Sequence, residues 1–287
     1  MIGVAKLERA LENMKCASEL RRFMRLSCAV VCILGLKPAV LFSDVLSVSH
    51  REGFGHGFLL FKNAEGKTLA VGEEIDTVQG DRVKTHLRFV FKDGSIYEET
   101  TLFSQSQTFR LISNHVIQKG PAFKYAMEST IDAVAGEVRV RSTDEKGKQK
   151  DISEKMDLPP DLANGMVSIL LKNIEPDAAK TSFSLLSTGP KPRVVKLVIT
   201  SQGQESFSVA GSGRKATHYV IKIEIAGIAG VIAPISGKEP PDRHMWIYGR
   251  EVRTMVKFEG PLSEDGPSGQ ILPTGPEWPP RSSRNKP

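Results

Sequence analysis

The chain has 287 residues, with 39 Lys and Arg against 33 Asp and Glu, a formal net charge of +6. Its 40% hydrophobic and 25% charged residues are ordinary globular proportions, which exclude collagen, a wholly disordered chain and a polytopic membrane protein. The positive balance first suggests nucleic acid or an anionic membrane as partner, so its distribution along the chain has to be located.

All three cysteines, Cys16, Cys28 and Cys32, lie near the start. There an eleven-residue apolar run, Leu26 to Leu36, follows Arg21, Arg22 and Arg25 and precedes Lys37 and Pro38. That order is the one of a secretory leader, and the run is short for a bilayer span of about 20 residues. Residues 1–47 are therefore read as a signal peptide or an uncleaved signal anchor, with a buried N-terminal helix as the other reading. Cleavage after Ser43 or Ser47 would leave a mature chain without cysteine. Such a chain has no disulfide, no thiolate nucleophile and no thiolate zinc site. The expected location is exported, in the periplasm or cell envelope or secreted, with membrane contact through the leader alone.

Turn signals then punctuate short segments. Asn63–Gly66, Gln79–Asp81 and Lys92–Gly94 recur about every 14 residues, and Asp144–Gly147, Gln202-Gly203 and Gly211–Gly213 continue the series. The segments between them alternate. Val83, Leu87, Phe89 and Phe91 share a face opposite Lys84, His86 and Arg88, and Val138 and Val140 alternate with Arg139 and Arg141. Tyr219, Ile221, Ile223 and Ile225 oppose His218, Lys222 and Glu224. One dry and one wet face is the pattern of a sheet covered on a single side. Lys146, Lys148 and Lys150 alternate as they would to blunt a sheet edge.

Residues 160–174 break the period. Leu162, Met166, Ile169, Leu170 and Asn173 form a helical stripe, with Pro159 and Pro160 at its start and Glu175-Pro176 after it, which predicts an amphipathic helix against the dry face. The apolar run Ile221 to Ile235 reads as two strands around a tight glycine turn, or else as a surface loop that enters a membrane or a partner groove. A single β domain is predicted over residues 53–260, and residues 261–287 read as a Pro/Gly-rich extended tail, disordered at its end. Residues 1–43 carry seven Lys or Arg and three Glu, and Arg281, Arg284 and Lys286 close the chain. The stretch between holds a net −1, so the basic charge belongs to leader and tail and nucleic acid is not expected as a partner.

The six histidines show no metal-ligand spacing. No nucleophile elbow or P-loop is present, and no metal or cofactor is expected. Adjacent carboxylates such as Glu73-Glu74 and Glu98-Glu99 point to opposite faces of a strand and read as solvated surface rather than acid/base pairs. The most pointed cluster is Asp242 to Tyr248, where His244, Trp246 and Tyr248 line one strand face. It reads as an interior aromatic strand or as the wall of a ligand cavity. Asp242 and His244 would form a general-base pair if a nucleophile stood beside them.

The stretch Met156–Met166 resembles, together with Lys215–Tyr219, Gly227–Gly237, Lys238–Asp242 and Phe258–Leu262, an uncharacterised bacterial family of predicted exported proteins with a domain of unknown function. The resemblance covers roughly Phe58 to Pro279 and brings no catalytic residues with it. More distantly, a β-rich exported chain with an embedded helix is similar to the open half-barrel of lipoprotein carriers of the LolA/LolB type, an analogy of fold alone.

The expected fold is all-β, a strongly curved antiparallel sheet of about ten to twelve strands, an open half-barrel wrapped over one amphipathic helix. The expected function is non-enzymatic binding or carriage of an apolar or amphipathic ligand, such as a lipid or acyl chain. Its wall would include Met166, Tyr219, His244, Trp246 and Tyr248. An envelope hydrolase using Asp242 and His244, and a ligand-free envelope scaffold, are the alternatives.

Overall fold

The computed structural model describes residues 45–144, 146–178, 180–189, 191–209, 212–224 and 240–274. The leader up to residue 44, residues 225–235 of the 221–235 run and the tail from residue 275 lie outside the described residues.

The described residues fold as one antiparallel sheet of fourteen strands. Eight form a meander: β1 (Gly55–Lys62), β2 (Thr68–Gln79), β3 (Arg82–Phe91), β4 (Ile96–Gln105), β5 (Phe109–Lys119), β6 (Ala126–Asp132), β7 (Glu137–Thr143) and β8 (Gln149–Lys155). After one helical turn, α1 (Val167–Leu171), six more follow: β9 (Thr181–Ser187), β10 (Arg193–Val209), β11 (Ser212–Glu224), β12 (Arg243–Tyr248), β13 (Thr254–Pro261) and β14 (Ser268–Thr274). Strand β14 pairs with β1, so the two meanders join into one sheet that runs from β8 at one edge to β9 at the other. The sheet is neither closed nor strongly curled, and in this the strong curvature expected from the sequence is not met.

Three local expectations are corrected. The helix predicted over residues 160–174 shrinks to five residues. Gly165 sits at φ +67°, outside helical space, and Leu162 bridges Ser184 of β9 while the Asn164 side chain bonds both ways with the Leu186 backbone. Those bonds hold residues 161–165 along the edge of β9, and helix begins only beyond them. Gln202-Gly203 is a bulge inside the long strand β10, not a turn, because the register with β11 slips between Ser201 and Gln204. The segment after Pro261 supplies β14, and Ile271 is buried between Phe61 of β1 and Phe258 of β13.

The alternation itself holds. Phe61, Phe89 and Phe103 are fully buried on the inner face, and the rings of Phe61, Phe89, Phe91 and Phe123 pack edge to face at 5.6–6.1 Å. Leu162, Met166, Ile169 and Leu170, the predicted stripe, are buried against this face. Both sheet edges are managed. The β8 edge carries Lys150 and Lys155 among exposed residues, and the β9 edge is covered by residues 161–164. Before β1, the Ser49 and His50 amides both donate to Asn173 Oδ1, at 2.9 and 2.6 Å, and Glu52 pairs with Lys172 at 2.9 Å. The domain thus reaches back to residue 45, ahead of the expected start at residue 53.

Candidate functional site

Inward side chains of the two meanders line a cavity of about 310 Å³ between the sheet, residues 164–168 and the loops at 187–189 and 261–265. Its two walls differ, and the register explains how each is built.

Partners across β2, β3 and β4 fall in lateral rows. Glu74 lies opposite Leu87, and Leu87 opposite Glu99. One row along, Asp76 lies opposite Thr85, Thr85 opposite Thr101, and Thr101 opposite Asn114 of β5. The dry face of this meander therefore carries a polar patch in its middle. The groups are tied together: Asn114 Nδ2 donates to Glu99 Oε1 at 2.8 Å and to Thr101 Oγ1 at 3.0 Å, Tyr97 Oη donates to Glu99 Oε2 at 2.9 Å, and Thr85 Oγ1 donates to Asp76 Oδ1 at 2.6 Å. Gly165 presses on this patch. A Cβ there would collide with the Thr101 hydroxyl and meet Asn114 and Glu99.

Burial makes these carboxyls hard to ionise. Desolvation, helped by the neighbouring Asp76, pushes Glu74 up to about 7. Desolvation also raises Asp76, against the Thr85 hydrogen bond, and raises Glu99 against its bonds from Asn114 and Tyr97. Tyr97 is itself held well above the ordinary phenol range by burial and by Glu99. Lys172, paired with Glu52, is the cation that offsets the group.

The second meander supplies the apolar wall, with Leu185, Val195, Leu197, Ile221, Met245 and Phe258 facing the cavity. Two cations stand in it. Arg193 precedes Val195 and Leu197 on the inner face of β10, and Arg243 precedes Met245 and Ile247 on β12. Arg193 Nε and Arg243 Nη1 are shut off from solvent and have no hydrogen-bond partner among the described residues.

The side chains singled out from sequence do not form one wall. Tyr219 is buried on the inner face, where its hydroxyl donates to the Ile174 carbonyl at 3.3 Å, and Met166 is buried among Leu162, Leu170 and Phe183. Neither lines the cavity. His244, Trp246 and Tyr248 do share a face, but it is the outer one, since Met245 and Ile247 between them are the buried pair. His218 of β11 stacks on Trp246 with ring centroids 4.3 Å apart. Its Nδ1 lies 2.6 Å from Glu205 and its Nε2 2.9 Å from His244 Nδ1, while Trp246 Nε1 donates to Glu205 at 2.8 Å. The Trp246 and His218 bonds hold Glu205 below the usual carboxylate range. Asp242 pairs with Lys222 at 3.4 Å, so the Asp-His dyad of the hydrolase reading is divided between two other partners.

Sequence reasoning missed Glu74, Glu99, Arg193 and Arg243. The signal was present. The rule that separates Glu73 from Glu74 and Glu98 from Glu99 also turns one of each pair inward beside Leu87 and Phe89. Among the described residues, no three His, Cys, Asp or Glu are grouped to hold a metal ion, and no helix is long and apolar enough to cross a membrane. No family model, no curated protein and no solved structure matches the chain.

Proposed function

We propose that the chain is an exported, non-enzymatic protein that holds an apolar or amphipathic ligand, such as a lipid or acyl chain, in the cavity on the inner face of its sheet. The cavity carries this reading. Its volume, about 310 Å³, lies at the lower end of the range for small-molecule sites, and an aliphatic wall with a few converging polar groups is the composition such sites have. An open sheet with residues 160–174 laid on its inner face leaves the cavity open to a chain-like ligand from the side.

Native mass spectrometry of the protein purified from its own host tests the reading. A co-purifying amphipathic molecule, lost on denaturation and replaced by added fatty acid on refolding, is the expected result. A ligand-free protein that also fails to bind N-phenyl-1-naphthylamine would sink it.

A ligand-free scaffold has one observation in its favour. Val71 and Val90 face each other on the outer surface, 57% and 38% exposed, beside Phe58 at 42%. Sedimentation of wild type and a Val71→Lys variant separates the two readings, since a scaffold patch would lose its assembly and a carrier would be unchanged.

A further inference from the structure

Two arginines on an aliphatic wall need an explanation. A guanidinium out of water is costly unless its N–H groups are satisfied, and buried cations are ordinarily paired. Arg193 and Arg243 are satisfied only in part: Nε of one and Nη1 of the other are shut off from solvent and find no acceptor among the described residues. The carboxylate that acts on Arg243 is Glu264, and its Oε2 already accepts from Ser187 Oγ at 2.6 Å. Ser187 is the register partner of Arg193, so both arginines belong to the end of the cavity that Glu264 borders. From there the inner faces of β10 and β12 continue as Val195, Leu197, Met245 and Ile247.

We propose that Arg243 and Arg193 receive the anionic head of the cavity ligand, a carboxylate or a phosphate, whose hydrocarbon chain lies along the aliphatic wall. This rests on the carrier reading and narrows its substrate class from any apolar molecule to an anionic amphiphile. A guanidinium suits the task because its planar fork offers parallel N–H donors to two oxygens of one head. Glu264 and Asp265 border the same end, each already held by a hydroxyl, Glu264 by Ser187 and Asp265 by Tyr125 Oη at 2.7 Å.

The test uses the full chain at pH 8, loaded with N-phenyl-1-naphthylamine and titrated below micellar concentrations with dodecanoate, dodecyl phosphate and dodecanol, and separately with inorganic phosphate. One or both dodecyl anions are expected to displace the probe at least roughly tenfold more tightly than dodecanol, the scale of a charge-assisted hydrogen bond. Arg193→Gln with Arg243→Gln should bring the anions down to the affinity of dodecanol while leaving dodecanol and the probe unchanged. Each guanidinium already leaves a shielded nitrogen without an acceptor, so its replacement by Gln should not unfold the domain, and the unfolding midpoint checks this. Equal affinity of wild type for dodecanol and both anions would overturn the head-group assignment and leave the carrier reading intact. Inorganic phosphate competing as well as dodecyl phosphate would overturn the chain-along-wall assignment. If the probe and all three dodecyl compounds fail to bind, the carrier reading falls and this inference with it.

Discussion

Strands β2–β5 bring Glu74, Thr85, Glu99, Thr101, Asn114 and Gln118 to the cavity, while β9–β13 bring Leu185, Val195, Leu197, Ile221, Met245 and Phe258. Both sets stand on the inner faces of one continuous sheet, and both meanders have the same period-two construction. What differs is how the inward polar groups are treated. The first meander ties most of them to each other, through Asn114, Tyr97 and Thr85, with raised carboxyls, and leaves only the neutral Ser129 hydroxyl without a partner among the described residues. The second leaves one nitrogen of each of two charged guanidinium groups without an acceptor among the described residues. A bonded polar network rigidifies a wall, and shielded donors without acceptors leave room for water or a ligand to bind.

The contrast breaks most completely at Gly165, which touches the polar wall at φ +67°. Gly165→Val adds left-handed strain, about 1–2 kcal/mol, and a methyl pair where the Thr101 hydroxyl sits, with the loss of buried hydrogen bonds at about 1–3 kcal/mol. The expected destabilisation is about 4 kcal/mol in urea unfolding, and a loss under about 1 kcal/mol would show that the segment does not press on the wall. Glu74 comes next. Its folded value, about 7, exceeds the ordinary 4.5, so between those pH values the folded chain holds a proton that the unfolded chain has released. Stability from this group is full below 4.5 and is lost as pH rises through 7. The shift corresponds to about 3 kcal/mol at most. Asp76 and Glu99 are raised and act in the same sense. Glu74→Gln should therefore flatten the fall in stability between pH 5 and pH 8 and raise stability at pH 8. Parallel pH curves for wild type and variant would count against it.

The fold was legible where the signal is local. Alternation marks the dry faces of β3, β7 and β11, and glycine turns mark four of the hairpins correctly. The pairing of β14 with β1 joins residues some two hundred apart and leaves no local trace, so Pro, Gly and Ser in 261–274 read as tail. The helix of residues 160–174 was over-extended because buried residues at helical spacing look alike whether they wind or run along a strand edge. Gly165 and Asn164 decided between the two, through a backbone angle and a bond to Leu186. The site was half legible. That His244, Trp246 and Tyr248 share a face follows from period two. Which face follows only from weighing Met245 and Ile247, the drier pair, against them. The inward Glu74 and Glu99 were passed over because a carboxylate is an unexpected core residue.

Within the polar wall, the network can be opened one bond at a time. Thr101 is buried, and its hydroxyl accepts from Asn114 Nδ2 at 3.0 Å. Thr101→Val keeps the shape and removes that acceptor, leaving Asn114 its bond to Glu99. The expected cost is about 1–2 kcal/mol. Combined with Asn114→Leu the cost should be less than the sum of the two single losses, because both changes act on one bond. Additive losses would mean that the wall is a set of separate contacts rather than a network.

The smallest effect belongs to the outer face. Lys257 Nζ lies 4.4 Å from the centroid of the Trp246 ring and 2.8 Å from Glu259, with both ends of the ion pair partly exposed. An exposed cation over an aromatic ring is worth about 0.5–1 kcal/mol and a surface ion pair about 0–1 kcal/mol. Lys257→Met retains the apolar stem over Trp246 and removes the charge, so it should cost well under about 1 kcal/mol at low salt. The difference should vanish near 1 M NaCl, where the screening length falls to about 3 Å. The Thr101→Val loss, made of a buried neutral bond, should persist at that salt. A salt-insensitive loss of about 2 kcal/mol at Lys257 would place the outer cluster of Glu205, His218 and Trp246 on the same footing as the buried network, and the two faces of the sheet would no longer differ in kind.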